Sequence, residues 1–382
     1  MHGSHVTSAI MCTAEHCRHV VTKATVSADT CKASANNITV PIGLIDAVRA
    51  YFDSLGLSQY LDSLKKKGVG MASLTAILMS FALSEDNSMA ACAEWLKDPR
   101  VRKLFGIKEE VSQRTLNRAL QILGRNREGV ILALYRGLRK TFPELDTDVD
   151  ADGSSIAANS EGGLRKAGYP RDKNPDGLQA EFMLGMFEDS RIPFYIHEYA
   201  GNVSDEEQYA KSLPEMMGLI DHEDLHAYER ISDKLVSNIR LRSKERELSS
   251  LSRGKARKGR KKKPKDDEEE GPEKNALLEI NRALGNASWV IFDNGGASVY
   301  NTEAINRMGH EYLTRKSMNK ADLELAKEKE PIEVEPGLVC WCETFESSGR
   351  TKYVFRADYL ADAKAHAAER KVERMAEAAR AL

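Results

Sequence analysis

From Pro41 onward, apolar residues recur at three- and four-residue spacing: Ile42, Ile45, Val48, Tyr51 and Phe52, then Leu55, Leu57, Tyr60, Leu61 and Leu64. That period puts them on one face and predicts a helical opening region. Residues 71–83 are denser in apolar side chains and predict a more buried helix. A third helix is expected over 90–96, closed by Asp98-Pro99. A fourth follows Val111, with Ser112 a good N-cap, Leu116, Ala119, Leu120 and Leu123 turned inward, and Arg114, Asn117, Arg118 and Gln121 left outside. An amphipathic helix over 130–140 then leads to Phe142-Pro143. Residues 1–38, rich in Thr, Ser, Ala and His with no sustained period, read as a flexible leader.

Beyond residue 143 the period shortens. A strand-like run reaches Asp152, and runs over 179–187 and 192–199 form a hairpin turned by Glu188-Asp189-Ser190-Arg191. A helix over about 204–219 follows, capped by Ser204 or Asp205 with Glu206 and Glu207 in its first turn. Later come a strand at 289–292 that stops at Asp293, a helix at 299–308 and a strand at 311–315. Three antiparallel strands followed by alternating helices and strands predict an α/β protein. Its core is a mixed sheet of the ribonuclease H-like type, with Asp152 and Asp293 on central, neighbouring strands. Residues 338–345 and 351–355 form a further hairpin turned by Glu346-Ser347-Ser348-Gly349, and 359–382 a long helix of Ala, Lys, Glu and Arg. The expected organisation is a leader (1–38), an all-α, DNA-binding domain (39–142), the first part of the sheet domain (143–228), a charged, partly disordered insertion (229–287), the second part of the sheet domain (288–334), and an inserted β hairpin with a terminal helix (335–382).

Composition narrows the function classes. The 382 residues, 41% hydrophobic, suffice for two or three domains. No run approaches the roughly 18 to 20 apolar residues that span a bilayer, and the N-terminus lacks a basic-then-apolar signal, so a soluble, cytoplasmic protein without membrane contact is expected. Six scattered cysteines suit free thiols in a reducing compartment. Cys12, His16, Cys17 and His19 crowd together, but their spacing matches no zinc pattern. The net charge of −2 hides a basic block: residues 240–265 hold thirteen Lys or Arg against two Glu, and 266–273 hold six acids and no base. Such a run is a solvated, disordered stretch, a phosphate-attracting one, or both. Lys258, Arg260 and Lys261 within it, and Arg165, Lys166, Arg171 and Lys173 in the loop after Asp152, are candidate phosphate contacts. The outward face of Arg114, Asn117 and Arg118 has two readings, a helix-turn-helix recognition helix or an ordinary solvated face.

A lone aspartate at a strand end is usually a turn former. Two of them on neighbouring strands also offer the oxygen ligands that a hard divalent cation takes beside substrate phosphates. Asp146, Asp148 and Asp150 are rivals for the first position. Alternation puts Asp148, Asp150 and Asp152 on one face with the last at the strand end.

The ordered series Asp152-Gly-Ser-Ser-Ile156, Gly168-Tyr169-Pro170-Arg171-Asp172, Pro175-Asp176, Gln179, Gly201-Asn202, Asp205, Asp293-Asn-Gly295, Ser298 and Asn301 resembles the DDE transposases of bacterial insertion sequences. The resemblance covers roughly 147–316 well and the helical region loosely. It implies a ribonuclease H-like fold interrupted by an insertion, with Asp152 and Asp293 as the first two catalytic, metal-holding acids. It further implies Mg2+ (Mn2+ substituting), double-stranded DNA as partner (transposon ends and target), a homodimer on DNA and a nucleoid-associated location. The family's third acid lies in the pattern Tyr, two residues, Arg, three residues, Glu, six residues, Lys. Here Tyr353 and Arg356 are followed by Leu360 and Ala367 at the Glu and Lys positions. The expectation is therefore a chain that stops before its catalytic Glu, with Glu369 and Glu373 as substitutes left open. Three functions stand: an insertion-sequence transposase, a truncated DNA-binding relative that competes with the intact enzyme, and a stand-alone metal nuclease.

Overall fold

The computed structural model describes residues 42–84, 88–160, 162–168, 177–253, 276–314, 330–335, 338–345 and 350–357. The leader, Arg171, Lys173, Lys258, Arg260, Lys261 and the expected terminal helix with Glu369 and Glu373 lie outside the described residues.

The first apolar stripe forms α1 (Ile42–Ser54) and α2 (Leu57–Ser63). Both lie against α3 (Met71–Ala82), whose Met71, Leu74, Ile77 and Phe81 are buried. Asp98-Pro99 opens a helix as well as following one. After α4 (Met89–Trp95), Asp98 accepts the Arg100 amide and Pro99 takes the first position of α5 (Pro99–Leu104). Proline suits that position because the missing N–H would have no partner in the helix anyway. In α6 (Gln113–Arg125) Ser112 caps the Thr115 amide, and Leu116 and Ala119 are buried. Leu120, expected inside, is 44% exposed. The packed side of α6 is rotated toward Ala119 and Ile122, which leaves Leu120 on its flank.

Helix α7 (Arg127–Thr141) joins the bundle to the sheet. Its buried Tyr135 sits against Phe187 and Phe194, with ring centroids 6.2 and 5.9 Å away, and one hydrophobic core runs from the bundle into the sheet. The sheet contains β1 (Val149–Ala158), β2 (Lys166–Ala167), β3 (Leu178–Phe187), β4 (Pro193–Ala200), β5 (Trp289–Phe292) and β6 (Glu311–Thr314). Both β2 and β4 pair with the outer edge of β3. The long strands run β4-β3-β1-β5-β6, antiparallel up to β1 and parallel beyond it. This is the ribonuclease H-like order that the strand reading predicts. Strand β1 differs from expectation in extent. It pairs with β3 over all ten of its residues, so Asp152 is its fourth residue and not its last. The positions past Asp152, Gly-Ser-Ser-Ile-Ala-Ala, carry no apolar alternation, and the ladder to β3 is what holds them in a strand.

Helix α8 (Asp205–His222), capped by Ser204, covers the face on which β3 buries Gln179, Glu181, Met183 and Phe187. Between α8 and β4 lies a polar network. The Tyr195 hydroxyl donates to Glu215 Oε2 at 2.6 Å, His197 Nδ1 is 3.0 Å from the same oxygen, and the Tyr199 hydroxyl is 2.6 Å from Ser212 Oγ. Burial alone would raise the Glu215 carboxyl. The His197 contact and charge, the Tyr195 hydroxyl and the Arg127 charge outweigh it and hold the carboxyl below the ordinary carboxylate range. A depressed carboxyl stabilises the fold above its unfolded pKa of about 4.5 and loses that contribution as pH falls through the folded value. Glu215→Gln is therefore expected to flatten the fall of melting temperature below about pH 4.5. Parallel acid limbs for the two proteins in a thermal-melt pH series would contradict this.

Two helices occupy the ends of the segment expected as a charged insertion, α9 (Glu229–Arg253) and α10 (Ala276–Leu284). Leu235 and Ile239 of α9 pack with Ala210 of α8 and with Ala304 of α11 (Val299–Arg307). Farther along the chain, β8 (Leu338–Phe345) and β9 (Arg350–Ala357) form the expected hairpin, and β7 (Ile332–Glu335) extends it to three antiparallel strands. Among the described residues no helix is long and apolar enough to cross a membrane.

Candidate functional site

The parallel pairing of β1 and β5 runs Val149–Val290, Asp150–Ile291 and Ala151–Phe292. The next residues on the two strands are Asp152 and Asp293, both exposed, so the sheet register brings the two sequence-predicted acids to one edge. The rivals have structural partners. Asp148 Oδ1 accepts the Trp289 amide at 2.7 Å, Asp150 pairs with Arg191, and Asp146 Oδ2 accepts the Asp189 amide at 3.3 Å. Those bonds tie the start of β1 to β5 and to the β3–β4 turn, and Asp152 is the member of the series that the register places beside Asp293.

Asp293 also forms its own turn. Its Oδ1 accepts the Gly295 amide at 2.9 Å, at the start of a single 3-10 turn over Asn294–Gly296. The same oxygen accepts the Tyr209 hydroxyl at 2.9 Å, while that hydroxyl lies 3.2 Å from the Ala151 carbonyl. Tyr209 is fully buried, and burial, followed by the nearby charges of Asp293 and Asp152, pushes its hydroxyl well above the ordinary tyrosine value. The turn backbone comes so close to its ring that a side chain at Gly296 would begin 2.7 Å from it. Asn301 fixes the turn from the other side, donating to the carbonyls of Gly296 (3.0 Å) and Glu206 (3.3 Å). A third carboxylate stands nearby. A side chain at Gly295 would begin 2.7 Å from Asp205 Oδ2 and 3.1 Å from Asp293 Oδ1. Among the described residues no three His, Cys, Asp or Glu side chains converge as a ready metal cage.

Sequence reasoning reached Asp205 only as a cap and a motif position, and it passed over Tyr209. The two are four apart on α8 and share a face, a spacing visible in the chain. Nothing local says that this face meets Asp293. Other motif residues are explained by packing. The Gln179 amide donates to Glu181 and to the Gly201 carbonyl, and a side chain at Gly201 would begin 2.0 Å from the Gln179 carbonyl oxygen.

The candidate phosphate contacts separate. Arg114, Asn117 and Arg118 are exposed on α6. The two arginines and Lys65 rim a shallow groove floored by Met71, Leu74, Ala119 and Ile122, with Ser112 and Thr115 at the helix start. Arg165 is occupied within its own loop, donating to the Gly162 carbonyl (3.0 Å) and Ser160 Oγ (2.8 Å). Lys166 is half-buried on β2.

No protein-family model matches the chain, and no curated protein matches it. Among solved structures it is similar to a piggyBac transposase determined by cryo-EM as a synaptic complex with hairpin DNA, at 10% identity and a TM-score of 0.28. The match covers 84% of this chain and 61% of that one, so the chain spans less than two thirds of that protein's length. At this score the likeness says nothing about shared chemistry.

Proposed function

We propose that this chain is a transposase of the DDE kind, which binds double-stranded DNA and cleaves and transfers its strands with the help of a divalent cation. The observation that supports it best is the placement of Asp152 and Asp293 one residue past the last parallel pair of β1 and β5. Asp152 and Asp293 are the residues that would hold Mg2+, or Mn2+ in its place. The donor set suits a hard cation, which takes one or two carboxylates and keeps waters and substrate phosphates for its remaining positions. When bound, such a cation supplies positive charge that acidifies water or a 3'-hydroxyl and stabilises the leaving oxygen of a phosphodiester. The protein's own part is to orient the two carboxylates on a rigid sheet edge and to attract the DNA backbone.

For the second part we assign the α6 groove with Lys65, Arg114 and Arg118. Each cation that neutralises a phosphate steepens the salt dependence of binding by about 0.9 in logarithmic slope. The Arg114→Ala, Arg118→Ala double variant is therefore expected to flatten the slope of duplex binding by roughly 1.8 and to weaken binding to all sequences alike. An unchanged slope in a fluorescence-anisotropy salt series would return α6 to an ordinary solvated face.

A second reading, binding to element ends without cutting, is favoured by the sequence: the Tyr-Arg-Glu-Lys pattern finds Leu360 and Ala367 at its last two positions. One experiment separates the two. Incubated with supercoiled plasmid and Mg2+ or Mn2+, a cleaving protein produces open circles and none in the presence of a chelator. Duplex binding without nicking supports the second reading, and absence of duplex binding overturns both.

A further inference from the structure

We propose that Tyr209 is a positioning residue that decides which oxygen of Asp293 is offered to a cation. The inference rests on the metal-site reading above and goes beyond it to a residue that touches neither cation nor DNA. The Tyr209 hydroxyl has one proton and two acceptors within reach, Asp293 Oδ1 at 2.9 Å and the Ala151 carbonyl at 3.2 Å. The carboxylate is the nearer and the charged one, and a charge-assisted hydrogen bond is about twice as strong as a neutral one. Oδ1 also accepts the Gly295 amide at 2.9 Å. One oxygen thus carries both protein donors. Among the described residues none donates to the other, Oδ2.

The ring cannot readily move away. It is fully buried, lies against Phe292 with centroids 5.6 Å apart, and meets the backbone of Gly296 where any side chain would collide with it. With Oδ1 held from two directions, rotation of the Asp293 carboxylate costs two hydrogen bonds, and Oδ2 stays turned away from them. A hydroxyl in this position fixes a ligand's orientation in the way that outer partners of metal ligands do, and loss of such a partner typically costs 10- to 100-fold in metal affinity.

The test is Tyr209→Phe, which keeps the ring and its packing and removes only the donor. Mn2+ binding to the full chain is followed by electron paramagnetic resonance, beside Asp293→Asn and the unaltered protein. The expected result is a half-saturation point about tenfold higher for Tyr209→Phe with an undiminished amount of Mn2+ bound at saturation. A merely structural role would lower the amount bound, by reducing the folded fraction, and leave the half-saturation point where it was. That pattern, or binding by Tyr209→Phe equal to that of the unaltered chain while Asp293→Asn has lost it, overturns the role of Tyr209 alone. No Mn2+ binding by the unaltered chain, or undiminished binding by Asp293→Asn, overturns the metal-site reading and this inference with it.

Discussion

Asp293→Asn is expected to abolish saturable Mn2+ binding and to lower metal-dependent plasmid nicking by at least about 100-fold, while leaving duplex affinity and melting temperature nearly unchanged. A hundredfold corresponds to only about 2.7 kcal/mol of transition-state stabilisation, a modest loss for removing one of two charged ligands. The fold should tolerate the change because Asn keeps the oxygen that accepts the Gly295 amide and the Tyr209 hydroxyl. Asp152→Asn should behave alike. The informative controls are Asp148→Asn, which keeps an oxygen for the Trp289 amide, and Asp150→Asn, which gives up the charge paired with Arg191; neither should affect the metal response. If Asp150→Asn removed the response and Asp152→Asn did not, the first ligand would be misassigned. If Asp293→Asn unfolded the chain and left the response of the remaining folded protein intact, Asp293 would be a turn former only.

Phe187→Ala is expected to destabilise the protein by about 3 to 5 kcal/mol, the usual range for emptying a fully buried aromatic site. Phe187 is fully buried and stands 4.6 Å from Phe194 and 6.2 Å from Tyr135, ring centre to ring centre. It therefore lies where the helical region and the sheet share one core. Urea unfolding followed by helix signal and by tryptophan fluorescence should move to lower denaturant by the same amount for both probes. The fluorescence comes from Trp95 in the bundle and Trp289 at the start of β5, with Trp341 in the three-stranded sheet. If only the Trp289 signal shifted, and that of a Trp289→Phe companion stayed in place, bundle and sheet would be independent folding units despite their contact.

Most elements were legible because their signals are local. The apolar run Trp289–Phe292 became β5 with the same bounds, Ser112 capped α6, and the turn Glu188-Asp189-Ser190-Arg191 joined β3 to β4. The failures share a cause. Asp98-Pro99 is compatible with a helix end and with a helix beginning, and the short α5 that decides between them is held by Val101 in the bundle core. Helix α9 has little amphipathic pattern, and the reason it lies where it does is the pair Leu235 and Ile239 against α8 and α11. Strand β1 continues past Asp152 because β3 offers a ladder there, which no property of Gly153 or Ser154 announces.

The sequence by itself determined that Asp293 follows one strand and that Asp152 lies in another, that the strands come in an order suited to a mixed sheet, and that α6 presents cations to solvent. These are properties of period, capping and charge, and each is written within a few neighbouring residues. Only the tertiary structure decided that Asp152 and Asp293 are next to one another, that Asp148 and Asp150 have other partners, and that α8 brings Asp205 and Tyr209 to the same edge. Those facts depend on the register between β1 and β5, separated by well over a hundred residues, and on the packing of one helix across the sheet. A shift of one residue in that register would turn the same aspartates to opposite faces, and no local pattern in the chain could have excluded it.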